Sequence, residues 1–163
     1  MASISDEALR VLGADKALAI GAYGEAVAAY RYLVMAEKAP DEQTRPVFAE
    51  MADEEQDHRQ RLEGLLQRYY PDSDFYLKTE DKEMVVEGPR LLDIKDQQTF
   101  AEAMRLILST EKKTAAFYAK LSKRIAPEEL RALFHELAEE GIVHYQRLER
   151  LGPTVATEDG NPA

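Results

Sequence analysis

Carboxylates and imidazoles recur in this sequence at spacings suited to holding a metal ion. Glu55 and His58 form an E-x-x-H pair inside the stretch FAEMADEEQDHRQRLEGLLQRY, which runs from Phe48 to Tyr69. Phe48, Met51, Leu62, Leu65 and Tyr69 repeat there at alternating steps of three and four, so the pair fills two rungs of an otherwise apolar stripe. An α-helix turns about 100° per residue, which puts residues three apart on one face, about one turn from each other. Both side chains therefore aim at one small volume on the face expected to enter a core. A carboxylate beside an imidazole there is a donor set for a transition metal.

The stretch repeats. A shift of 86 residues lays FHELAEEGIVHYQRLERL, Phe134 to Leu151, over Phe48 to Leu65. Phe48 then meets Phe134, Met51 meets Leu137, His58 meets His144, and Q-R-L-E recurs at Gln60 and Gln146. The same shift carries Glu25 onto Glu111 and Tyr32 onto Tyr118. One offset that covers both a Glu segment and a His segment reads as a duplicated helical hairpin. Among the inward acids and histidines one match fails: Glu55 falls on Gly141.

The elements that must carry these residues follow from period and punctuation. Residues 3–12 suit a short leading helix capped by Ser3 or Ser5. The first long helix is expected over about 15–38, with Leu18, Ala22, Glu25, Ala29, Tyr32 and Ala36 inward and Pro40 closing it. The second is expected over 41–70, capped by Asp41 or Thr44, with Pro46 tolerated in its first turn and Pro71 stopping it. Residues 71–96 have no helical period and suit a crossover, with Met84–Glu87 briefly extended. A third helix is expected over 97–125, with Phe100, Met104, Ile107, Glu111, Thr114, Tyr118, Leu121 and Ile125 inward. A fourth is expected over 127–151, with Phe134, Leu137, Gly141, His144, Leu148 and Leu151 inward and a stop at Gly152–Pro153. One domain over 1–152 and a frayed tail over 153–163 complete the reading.

Composition narrows the function. The chain has 163 residues, enough for one buried core, and a formal charge of −10 that argues against nucleic acid as a partner. With no cysteine, disulfides, thiol catalysis and a cysteine-ligated iron centre are excluded within this sequence. The polar start MASISDEALR does not read as a signal peptide, and no apolar run approaches the roughly 20 residues of a membrane span. A cytoplasmic address is the expectation.

Polar residues interrupt all four apolar stripes near mid-length: Glu25; Glu55 with His58; Glu111 with Thr114; and His144 beside Gly141. Burying one unpaired carboxylate costs several kcal/mol, and three in one cavity also repel each other. A divalent metal lets all three stay charged, with neutral imidazoles as further ligands. The bland alternative is a protonated polar network in a bundle that binds no metal.

The pattern resembles the rubrerythrin branch of the ferritin-like di-iron carboxylate family, over roughly residues 15–151. Such proteins are all-α four-helix bundles with a long crossover between helices 2 and 3. They carry Glu on helix 1, E-x-x-H on helix 2, Glu on helix 3 and E-x-x-H on helix 4. Glu25, Glu55, His58, Glu111 and His144 fall on those positions. The resemblance implies two irons reacting with dioxygen or peroxide: oxidation of Fe(II), or peroxide reduction with a separate electron-donor protein, and with homodimerisation open. One ion, manganese or zinc also fits these ligand types.

Two positions depart from the family pattern. Gly141 stands where the second E-x-x-H needs Glu, and Thr114 stands where rubrerythrins carry a second helix-3 Glu. Three glutamates leave one charge of two divalent ions uncompensated, so a hydroxide bridges or one ion binds firmly. Glu140, next to the vacancy, is a candidate stand-in ligand although it points about 100° off the stripe. Tyr32 and Tyr118 are candidate partners for the carboxylates, or core tyrosines with solvent-reaching hydroxyls. Glu54 and Glu139 read as surface residues and His135 as exposed. Thr114 reads as bonding a water or its own helix backbone. A non-catalytic metal binder, a degenerate structural bundle and a di-iron hydroxylase stay open as alternatives.

Overall fold

The computed structural model describes residues 6–155, with side chains described for 7–151. All its regular elements are helices: α1 (Asp6–Arg10), α2 (Ala14–Lys38), α3 (Arg45–Tyr69), α4 (Thr79–Lys82), α5 (Gln97–Leu121) and α6 (Glu128–Val155). The four long ones form a bundle in which α2 packs along α3 and α5 along α6, while the two hairpins meet more sparsely. Most of the tail expected over 153–163 lies outside the described residues.

Local chemistry sets the boundaries. Ala39 is extended, as a residue before proline prefers, and α2 ends there. Asp41 Oδ1 accepts from the amides of Gln43 (2.9 Å) and Thr44 (2.8 Å), turning the chain into α3, which therefore starts later than residue 41. Asp96 caps α5 by accepting from Thr99 N at 2.8 Å. The third long helix stops at Leu121 rather than residue 125, yet Ile125 in the following turn is still buried. The fourth does not stop at Gly152–Pro153 and its backbone continues to Val155. Proline's fixed φ is itself helical, so one proline near an end removes a hydrogen bond without ending the helix.

The expected stripes are inward, with one exception. Tyr69 is exposed and pairs with Glu129 alongside Arg68, because it lies at the open end of the bundle beyond Leu62. Two apolar clusters make up the core. One joins Leu18, Leu62, Phe117, Phe134 and Leu137. The other joins Met35, Phe48, Met51, Phe100, Met104 and Leu148. On every long helix the polar interruption falls between them.

The crossover packs on the bundle. Residues 84 and 85 are in a turn after α4 rather than extended, with Val85, Val86 and Ile94 buried. Asp81 accepts from Lys78 N (2.8 Å) and lies 3.3 Å from Lys16 Nζ, which anchors α4 to the start of α2. Val85 sits on Gly24 of α2, where any Cβ would come within 2.9 Å of it. Arg31, fully buried on α2, donates to the carbonyls of Glu87 (2.9 Å) and Pro89 (2.6 Å) and to Thr110 Oγ1 of α5 (3.1 Å). This segment thus straps the seam between α2 and α5. Thr114 Oγ1 donates to Val85 O at 3.0 Å, so it bonds the crossover where its own helix backbone was expected.

Candidate metal centre

Five side chains on four helices converge between the two apolar clusters. Glu25, Glu55, His58, Glu111 and His144 are each at most 7% exposed. Each arrives from a rung of its helix stripe, so the helical period that builds the core also aims them at one another. Glu55 Oε1 lies 3.2 Å from His58 Nδ1 and 3.2 Å from His144 Nδ1. Glu25 Oε2 is 3.8 Å from His58 Nδ1, and Glu111 Oε1 is 3.7 Å from His144 Nδ1. Among the described residues two triads have ligand atoms within 4.8 Å of one another: Glu25, Glu55 and His58, and Glu55, Glu111 and His144. Glu55 belongs to both. The two imidazoles face each other nearly parallel, with ring centres 6.0 Å apart.

The tyrosines bond carboxylates of the opposite hairpin. Tyr32 of α2 donates to Glu111 Oε1 of α5 at 2.6 Å, and Tyr118 of α5 donates to Glu25 Oε1 of α2 at 2.8 Å. Neither hydroxyl reaches solvent, since both residues are 1% exposed. Burial first, then the charges of Glu111 and Glu25 respectively, raise both phenols well above their ordinary range.

The cluster's electrostatics are those of crowded acids. Burial and then the charge of Glu55 raise the Glu25 carboxyl to about 8. Burial alone would lower the imidazoles, but the carboxylates beside each Nδ1 outweigh it. Glu25 and Glu55 take His58 up to about 10, and Glu111 and Glu55 take His144 up to about 11. Without an ion the cluster therefore balances its carboxylates with protons on the Nδ1 atoms that would face a metal.

Glu140 stands outside both triads. Its Oε2 lies 2.9 Å from His58 Nε2, the imidazole's outer nitrogen, and its side chain is 42% exposed. Projecting off the stripe, it reaches across to α3 instead of into the space above Gly141. That space is narrow: a Cβ on Gly141 would lie 3.1 Å from Ala115 Cβ and 3.8 Å from Glu111 Oε2. Beside it is a cavity of about 20 Å³ lined by Gly141, Glu25, Glu55, Glu111, Thr114 and both imidazoles. The buried Glu140 Oε2 makes no hydrogen bond among the described residues, as its contact with His58 is close but misaligned.

Glu54 was expected on the surface or helix flank and not as a ligand; it is half-buried and outside both triads, but it does have a role at the cluster's edge. Its Oε2 lies 2.7 Å from His144 Nε2, and Arg147 Nη1 donates to both of its oxygens at 3.1 and 3.2 Å. The 86-residue offset carries Glu54 onto Glu140, but nothing in the period of either helix aims it at His144. His135 and Glu139 are exposed and pair with each other at 2.7 Å, as their positions off the stripe foretold.

The donor set fits a metal ion. Two imidazole nitrogens, two terminal carboxylates and one shared carboxylate converge in a buried site, where only a cation balances the acids without protons.

Comparison with known proteins adds three findings. Residues 16–152 match the family model for rubrerythrin. A hypothetical protein from Pyrococcus furiosus has a similar structure at a TM-score of 0.77 and 23% identity, over 93% of this chain and 95% of that one. No curated protein matches the sequence.

Proposed function

Because this chain belongs to the rubrerythrin family, we propose that its buried cluster is a di-iron centre for Fe(II) oxidation or peroxide reduction. Glu25, Glu55 and His58 would hold one ion and Glu111, Glu55 and His144 the other, with Glu55 common to both sets. The observation that carries this reading is the meeting of two ligand triads at Glu55, each with its own imidazole. Two irons bound there would supply the exchange of electrons with dioxygen or peroxide.

The chain's own residues prepare that chemistry. Tyr32 donates to Glu111 Oε1 and Tyr118 to Glu25 Oε1, which orients both carboxylates before an ion arrives. The cavity of about 20 Å³ has room for roughly one water-sized molecule. A space that small, lined by the same side chains that would hold the ions, leaves no room for the organic substrate of a hydroxylase. The crossover strap and the apolar clusters on either side keep bulk water out. Electrons come from Fe(II) itself or from a separate donor protein, in a cytoplasmic monomer or homodimer.

Metal analysis of protein purified without chelator tests the centre. About two irons per chain are expected; no iron, manganese or zinc above trace would end the reading. Rapid oxidation of added Fe(II), slowed at least about tenfold in Glu55→Ala, tests the catalytic part. Equal rates in the two proteins would reduce the function to metal binding.

A further inference from the structure

The outer faces of the two imidazoles carry a second pair of carboxylates, and these exchange between hairpins. Glu54 of α3 meets Nε2 of His144 on α6, while Glu140 of α6 meets Nε2 of His58 on α3. The 86-residue offset relates the two contacts, glutamate to glutamate and histidine to histidine. At His144 the Glu54 acceptor holds a proton on Nε2 and fixes the ring's rotation, so that the neutral ring offers Nδ1; Glu140 lies near enough to His58 Nε2 to do the same there but is not aligned to accept. In both halves Nδ1 is the nitrogen that faces Glu55.

The halves are not equal. Arg147 grips both oxygens of Glu54 and also lies 3.5 Å from Glu50. Its counterpart under the offset, Arg61, pairs with Glu136 and not with Glu140. Among the described residues Glu140 has only a misaligned approach to His58. A partner already fixed before the ligand arrives loses less freedom on binding.

We propose that Glu54 and Glu140 are positioning residues for the imidazoles of the opposite hairpin, and that the Arg147 grip on Glu54 makes the Glu111–His144 half bind its ion first. The proposal rests on the metal reading above. Each carboxylate acts through a histidine and touches no ion itself.

Cobalt(II) titration of the metal-free full chain, followed by its visible d–d bands and by calorimetry, tests it. The wild type should bind two ions in two resolved steps. Glu54→Gln keeps shape and removes charge, and should weaken the first step about 10–100-fold and shift its bands. Glu140→Gln should weaken only the second step by a similar factor. Arg147→Met should bring the two steps together. Unchanged melting of the metal-free variants separates positioning from lost fold, and a Gln variant that melts early is replaced by Asp at the same position. Two bound ions with both Gln variants within about threefold of wild type would overturn the positioning role and leave the centre standing. Loss of the first step in Glu140→Gln, or unaltered steps in Arg147→Met, would overturn the order. No cobalt bound by the wild type would remove the centre and the proposal together.

Discussion

Protons and metal compete for the same two nitrogens, and that competition sets a pH dependence. His58 and His144 are raised from about 6.5 to about 10 and about 11 in the fold, so their contribution to stability is full below about 6.5 and lost as pH climbs through 10 to 11. Glu25, raised to about 8, has the same sign: its neutral form favours the folded state, and that help fades as pH rises through 8. The metal-free protein should thus have a lower urea midpoint at pH 10 than at pH 7; an equal or higher midpoint would contradict the buried ion-pair arrangement. Bound divalent metal replaces those protons, so the difference should shrink in the loaded protein. Tyr32→Phe leaves Glu111 without its 2.6 Å donor and should cost about 1–2 kcal/mol by urea unfolding, and Tyr118→Phe about as much through Glu25. The five buried acids and imidazoles were legible because an acid or imidazole on an apolar stripe contradicts the stripe. Glu54 was not, because a side chain's reach across the gap between two helices has no period in either one. The tyrosines were legible as partners of carboxylates, but the stripe put them beside the Glu of their own helix, whereas they bond the Glu of the opposite hairpin.

The helices could be read from period and punctuation, whereas the crossover could not. Residues 71–96 lack a repeating face because each holds the bundle by a different means: Asp81 by its carboxylate, Val85 by fitting Gly24, residues 87, 89 and 90 by their carbonyls. Contacts made by backbone atoms leave no mark in the sequence of the segment that makes them. Their partner, Arg31, sits off the inward stripe and gave no warning of its burial. Its guanidinium is the hub, donating to three crossover carbonyls and to Thr110 beside Glu111. Arg31→Met keeps much of the volume but leaves those acceptors facing apolar atoms, and should cost about 2–4 kcal/mol. Hydrogen exchange should locate the loss, with amides of 84–90 opening well before those of α3 and α6. Uniform acceleration over all four helices would mean that Arg31 supports the bundle generally and not the strap.

Across the whole molecule one offset pairs most residues of the site, and the gap that matters lies at its centre. Glu25 and Glu111, His58 and His144, Tyr32 and Tyr118, and Glu54 and Glu140 are paired by one offset, whereas Glu55 faces Gly141. α6 uses the missing side chain to come close to Ala115 of α5. Gly141→Glu would restore the symmetry, and two opposing terms decide its effect. In the metal-free protein the new Cβ meets Ala115 at 3.1 Å, and overpacking of this kind costs about 1–3 kcal/mol. A fourth carboxylate near Glu111 adds repulsion to that. With two divalent ions bound, four glutamates neutralise what three leave short by one charge, so part of the cost should be recovered. The variant should melt several degrees below wild type when metal-free, at roughly 2–4 °C per kcal/mol for a chain of this length. Its gain in melting temperature on adding excess manganese should exceed that of wild type. Paired melts of both proteins with and without the ion measure this directly. An equal gain in the two would mean that the position above Gly141 faces no second ion, and that the molecule's two halves share one.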